Sequence, residues 1–162
     1  MKRAMQMLTG SVLLSLAPMA SARDDPDPLA LKIAAAFVSL AGSEDNALAL
    51  VCALHEGLPV HLLSPVDAGA DFMPEIAVFE PPTGKMSWND VRMTLMLARD
   101  ALQRYGIGHP TLVQLHAVLL GGGIATPNGR SVTFRGVLQM RADGLNWGQI
   151  AAERYRRAAI VR

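Results

Sequence analysis

The chain has 162 residues, with 15 lysines and arginines against 14 aspartates and glutamates, a formal net charge of +1 at neutral pH. That length suits one domain with a real core rather than two, and the charge balance asks for no nucleic-acid partner. Cys52 is the only cysteine, so an intramolecular disulfide is excluded and the core alone must hold the fold.

Lys2 and Arg3 open the chain, an apolar run extends from Ala4 to Ala17, Pro18 breaks it, and Ala20-Ser21-Ala22 supplies the small-x-small pattern that a signal peptidase reads. Residues 1–22 are therefore expected to be a cleaved secretory signal peptide. The run falls short of the ~20 apolar residues needed to span a bilayer. Arg23 rather than a cysteine stands directly after the cleavage point, so no lipid anchor is expected there, and Lys2-Arg3 is not a twin-arginine pair. The expected product starts at Arg23, is periplasmic or secreted, and has no membrane contact after cleavage. Loss of Lys2 and Arg3 lowers the 15 basic residues to 13 against 14 acidic ones, a net charge of about −1.

Residues 23–28, RDDPDP, read as a mobile tail, and residues 29–162 as a single helical domain. Leu29 to Leu40 is helical in propensity, and Ala41-Gly42 breaks it. Ser43 caps a second helix from Glu44 to Glu56, with two acids in its first turn and Gly57 as its stop. Both are apolar nearly all round, which places them in the core. Five prolines between Leu58 and Pro82 exclude a long helix and leave two short strands, Pro59 to Leu63 and Ile76 to Phe79. Ser87 and Asp90 match a capping box for a third helix reaching about Tyr105, with Met86 and Val91 as a hydrophobic staple. Its core stripe is Val91, Leu95, Ala98, Leu102 and Tyr105, while Arg92, Arg99 and Gln103 share a face read as solvated. Thr111 and Gln114 repeat the capping logic for a fourth helix that ends at Gly121-Gly122-Gly123. Asn128-Gly129 marks a turn, followed by a strand from Ser131 to Phe134 that can pair with the Ile124 segment. Two last helices, Val137 to Ala142 and Trp147 to about Arg157, are separated by Asp143-Gly144, with Asn146 and Gln149 capping the second. The fold is therefore expected to be mainly α, five or six helices with one or two short β pieces.

Little in this pattern carries chemistry. His55, His61, His109 and His116 show no HExxH and no metal-ligand spacing, and no phosphate loop or nucleophile elbow is present, so no metal, cofactor or catalytic residue is assigned. Cys52 and His55 stand three apart on one helix face, the one pairing with nucleophilic potential, although a packed thiol is the plainer reading. Arg141 to Glu153 resembles the first half of a helix-turn-helix segment, and Arg154, Arg156, Arg157 and Arg162 follow it. Export from the cytoplasm and the absence of a following recognition helix argue against nucleic acid.

Ser87-Trp88-Asn89-Asp90-Val91 and Asn146-Trp147-Gly148-Gln149-Ile150 echo one another, each a polar cap, a tryptophan, a spacer, a back-capping side chain and an apolar residue. Trp88 and Trp147 are the candidate interaction residues, aromatic anchors being favoured at interfaces. Packing beneath a helix start is the competing reading, and for Trp147 burial is expected.

Three stretches, NDVRMTLMLA at Asn89 to Ala98, PTLVQLHAVLLGG at Pro110 to Gly122 and GVLQMRADGLNWGQIA at Gly136 to Ala151, resemble a family of uncharacterised exported proteobacterial proteins in which a GxGWGQIA-like ending closes a small helical domain. The likeness covers roughly the last half of the chain, with a fainter echo at Ala41 to Leu54. This sequence departs from that pattern at Leu145-Asn146. The resemblance implies export and assigns no activity. Together these readings favour a non-catalytic periplasmic interaction or structural protein with a protein partner. A small cell-wall or peptide hydrolase using Cys52 or a loop acid is the alternative, and a helix-turn-helix nucleic-acid binder comes third.

Overall fold

The computed structural model describes residues 26–64 and 75–158. They form, in order, α1 (Pro28–Ala35), α2 (Val38–Ala41), α3 (Glu44–Glu56), β1 (Val60–Leu63), β2 (Ile76–Phe79), α4 (Trp88–Gln103), α5 (Leu112–Leu120), β3 (Gly122–Ala125), β4 (Ser131–Phe134), α6 (Val137–Ala142) and α7 (Trp147–Ala158). The protein is mainly α with short β pieces, seven helices among the described residues rather than five or six. The expected signal peptide at 1–22, residues 23–25 of the expected tail, residues 65–74 and residues 159–162 lie outside the described residues.

The extra helix comes from the first apolar run, which is two helices. Phe37 leaves helical geometry at φ −125° and ψ 15°, and its side chain enters the core at 2% exposure. Order also starts earlier than Leu29. Asp27 Oδ1 accepts from the Leu29 amide at 2.7 Å, and Pro28 takes the first helical position, where its fixed φ suits the helix and its missing N–H removes no bond. The core placement expected for both apolar helices holds for α3, whose Ala47, Leu50, Val51 and Leu54 are fully buried. It fails for α1, which lies on the surface with Leu29 and Leu31 exposed at 43% and 47%.

Capping side chains fix the other helix starts. Ser43 Oγ accepts from the Asn46 amide at 3.1 Å, and Thr111 with Gln114 closes a full capping box that opens α5. Asn146 and Gln149 exchange amide-to-side-chain bonds of 2.9 Å each at the start of α7. β1 and β2 pair antiparallel with Val60 opposite Phe79 and Leu63 opposite Ile76. β3 and β4 pair with Gly122 opposite Phe134 and Ala125 opposite Ser131. Period-two alternation turns Val60 and Leu62 into the core and leaves His61 and Leu63 outside.

Two buried polar residues contrast. Asn46, 4% exposed, bonds to the backbone on both sides: its amide nitrogen donates to Ala41 O and Leu63 O, and its oxygen accepts from Leu63 N. Thr94, fully buried in α4, has a hydroxyl that finds no partner among the described residues. A buried hydroxyl without a partner keeps its desolvation cost. Thr94→Val, nearly the same shape, is expected to raise stability by about 1 kcal/mol; a urea midpoint below that of the wild type would contradict this.

Candidate functional site

Three helix ends meet at one place on the surface. The end of α3 is tied to the start of α4 by a reciprocal pair of bonds: the Met86 amide donates to His55 O at 3.1 Å, and His55 Nδ1 lies 2.7 Å from Met86 O. Gly57 permits this approach, since a Cβ there would stand 2.5 Å from the Lys85 nitrogen. The His55 ring lies on the Trp88 indole, centroids 3.6 Å apart and planes 12° from parallel. Glu56 completes this side with a 3.0 Å ion pair to Lys85, an exposed contact that adds little stability.

The start of α7 joins through Asp90. Ser87 Oγ accepts from the Asp90 amide at 3.1 Å and donates to Asp90 Oδ2 at 2.8 Å, while Trp147 Nε1 donates to Asp90 Oδ1 at 2.8 Å. The guanidinium of Arg141 sits 4.9 Å from the Trp147 ring centroid and donates to Leu145 O at 3.0 Å. The two echoing segments of the sequence are thus joined directly, tryptophan of one to acid of the other. Trp88 and Trp147 are both half-buried and packed against the core, so the burial expected for Trp147 holds in part: its ring lies against the junction at the α4 start, and Ile150 enters the core beside it. Beside the junction opens a polar hollow of about 320 Å3, with Thr83, Lys85, Asp90 and Arg141 among its walls.

Burial alone would raise the Asp90 carboxyl. The hydrogen bonds from Ser87 and Trp147 and the charge of Arg141 outweigh it and hold the group below the usual carboxylate range. A carboxylate with a depressed folded pKa stabilises the fold above its unfolded value, about 3.9, and that contribution is lost as pH falls through the lower folded value. Asp143 behaves likewise, held down by a hydrogen bond from Gln139 and by Arg135. Asp90→Asn is therefore expected to lower stability at neutral pH and to flatten, without abolishing, the loss of melting temperature below about pH 4. Parallel wild-type and variant curves through that range would remove Asp90 as a stabilising acceptor.

The pairing of Cys52 with His55 does not form. The His55 ring nitrogens face Met86 O and, at 3.5 Å, Glu56 Oε1, so neither is left for the thiol. Burial, then the charges of Glu56 and Asp27, push the Cys52 thiol up, which favours the protonated and unreactive form. Among the described residues no three histidine, cysteine or acidic side chains gather to hold a metal, and no helix is long and apolar enough to cross a membrane. The α6–turn–α7 pair exists as expected, but the side chains from Arg154 onward lie outside the described residues. The Trp147 to Asp90 bond was not legible beforehand, although the echo that places both residues at helix starts was the signal for it. No protein-family model, no curated protein and no solved structure matches the chain.

Proposed function

We propose that this is an exported, non-catalytic binding protein that recognises a protein partner in the periplasm through the junction of the α4 and α7 starts. One observation carries the reading: Trp88 and Trp147 are half-buried with the indole nitrogen of Trp147 already satisfied inside the protein, so their rings are fixed and still partly open. Rigid aromatic and arginine side chains that are ordered before binding lose little entropy on binding, which is why they dominate interface energetics. The hollow beside them offers both signs of charge, suited to a polar rim. Export rests on the basic start, apolar run and Ala20-Ser21-Ala22 site, and on the resemblance of the chain's second half to exported proteobacterial proteins.

Two measurements test this. Intact mass of the exported protein is expected to match a chain starting at Arg23, and a mass retaining residues 1–22 would remove the periplasmic assignment. Affinity capture from periplasmic extract is expected to retain a specific protein with the wild type and lose it with Trp88→Ala. That variant should stay folded, at a cost below the roughly 3–5 kcal/mol of a fully buried aromatic truncation, because the ring is only half-buried. An identical captured set for wild type and variant would exclude this face.

A further inference from the structure

α1 is the least explained surface of the protein. Its exposed positions are Pro28, Leu29, Leu31, Lys32 and Ala35, so one charge stands on an otherwise apolar outer face. A helix apolar on nearly every side is normally enclosed. Here the core takes only Ala30, Ile33 and Ala34 of the helix, and the opposite side has no cover among the described residues.

The two flanks of this helix carry opposite charge. Between α1 and α4 runs a groove of about 690 Å3 with Leu29, Phe37, Trp88 and Met96 in its walls and Lys32, Arg92 and Arg99 around them, and none of the described residues lining it is a carboxylate. Arg99 is held in place over the Phe37 ring at 5.1 Å. On the other flank, between α1 and α3, a groove of about 370 Å3 combines Leu31, Val38 and Leu48 with Glu44 and Asp45, and none of the described residues lining it is a cation. Each groove is an apolar floor with a rim of one sign, and the signs are complementary.

We propose that α1 lies at the centre of a two-fold interface between two copies of this chain. In a symmetric dimer the same patch faces itself, so the patch must be self-complementary. A two-fold axis running along α1 exchanges its flanks, laying the cationic groove of one copy over the acidic groove of the other, twice per dimer. An axis across α1 would oppose like charges, and the charge pattern rejects it. The exposed leucines then enter the partner's apolar floor, and Ala35, small and near the axis, lets the two helices approach.

The test uses protein recovered from a strain expressing the full 162-residue chain. Sedimentation over a dilution series is expected to give twice the monomer mass at high concentration, shifting toward monomer as salt screens the rims. Reversing one rim, Lys32→Glu with Arg92→Glu, is expected to give a folded monomer, as is reversing the other, Glu44→Lys with Asp45→Lys. Mixing these two variants should restore the dimer, because both contacts in the mixed pair are again opposite in sign. If the reversed acids weaken the start of α3, Ala35→Arg blocks the axis from an exposed position and should also give monomer with an unchanged circular dichroism spectrum. A wild type that stays monomeric throughout, a dimer indifferent to these changes, or a mixture that fails to associate would each overturn the proposal. Trp88 borders the cationic groove, so the two surfaces adjoin there; a monomer that still captures a protein through Trp88 would overturn the dimer while leaving the proposed binding function standing.

Discussion

Gly136→Ala is expected to cost about 3–5 kcal/mol, a large share of the roughly 5–15 kcal/mol that holds a domain of this size. Two effects add. Gly136 sits at φ +86° and ψ 126° as it opens α6, a conformation that side-chain-bearing residues rarely adopt, and the strain there is about 1–3 kcal/mol. A Cβ would also stand 2.3 Å from the carbonyl carbon of Leu120, 2.5 Å from the Gly121 nitrogen and 2.6 Å from the Leu120 oxygen. All three are backbone atoms at the junction of α5 and β3, so no rotamer change relieves the overlap. Gly144→Ala is the control, because Gly144 has φ +88° but open space around its missing Cβ; it should show the conformational cost alone. Equal urea midpoints for the two variants would mean that the α5 end can move aside, and the clash would not be the dominant effect.

The elements were legible where local chemistry decides them. Ser43, Thr111 and Asn146 start their helices as their side chains predict, and the short strands fall where prolines and Asn128-Gly129 confine them. The break at Phe37 was not legible, since alanine-rich flanks favour continuing the helix and only the pull of one aromatic ring into the core ends it. The exposure of α1 escaped for a related reason: composition reports that a helix is apolar, not whether the molecule has enough neighbours to enclose it. Arg92 and Arg99, read as a solvated face, turn out to rim a groove, because their helix neighbour, α1, is distant in sequence.

The candidate site was half legible. Its tryptophans were identified from their place at helix starts, but their partners lie 57 residues away in the case of Trp147 and Asp90, and 31 residues away for the His55 to Met86 bond that positions the Trp88 stack. The spacing of Cys52 and His55 suggested a pair, and tertiary contacts overrode it by giving the imidazole other partners. Sequence spacing gives direction from a helix axis; it does not say which neighbour waits there.

Asn46→Leu is expected to destabilise the protein by about 2–4 kcal/mol although its side chain branches in the same way, because each backbone group left unpaired away from water costs about 1–3 kcal/mol and the larger methyl groups add crowding. Leu63 is the last residue of β1, and its N–H and C=O point away from β2; the Asn46 side chain satisfies both, at 2.9 Å and 2.7 Å, as a neighbouring strand would. Its second amide hydrogen goes to Ala41 O at 3.0 Å, so one side chain joins the end of α2, the start of α3 and the free edge of the hairpin. Leucine meets none of these needs, and hydrogen exchange should show protection lost first at the Leu63 amide. Asn46→Asp gives a second, pH-dependent signature. The carboxylate keeps the bond from Leu63 N but turns negative oxygen toward two carbonyl oxygens, which with burial raises its folded pKa above the unfolded value of about 3.9. A raised folded pKa means that stability is greatest below about pH 4 and is lost as pH rises through the folded value. The aspartate variant should therefore recover part of its melting temperature on acidification while the leucine variant does not, and a pH-independent deficit in both would show that the amide donors of Asn46 do not hold this edge.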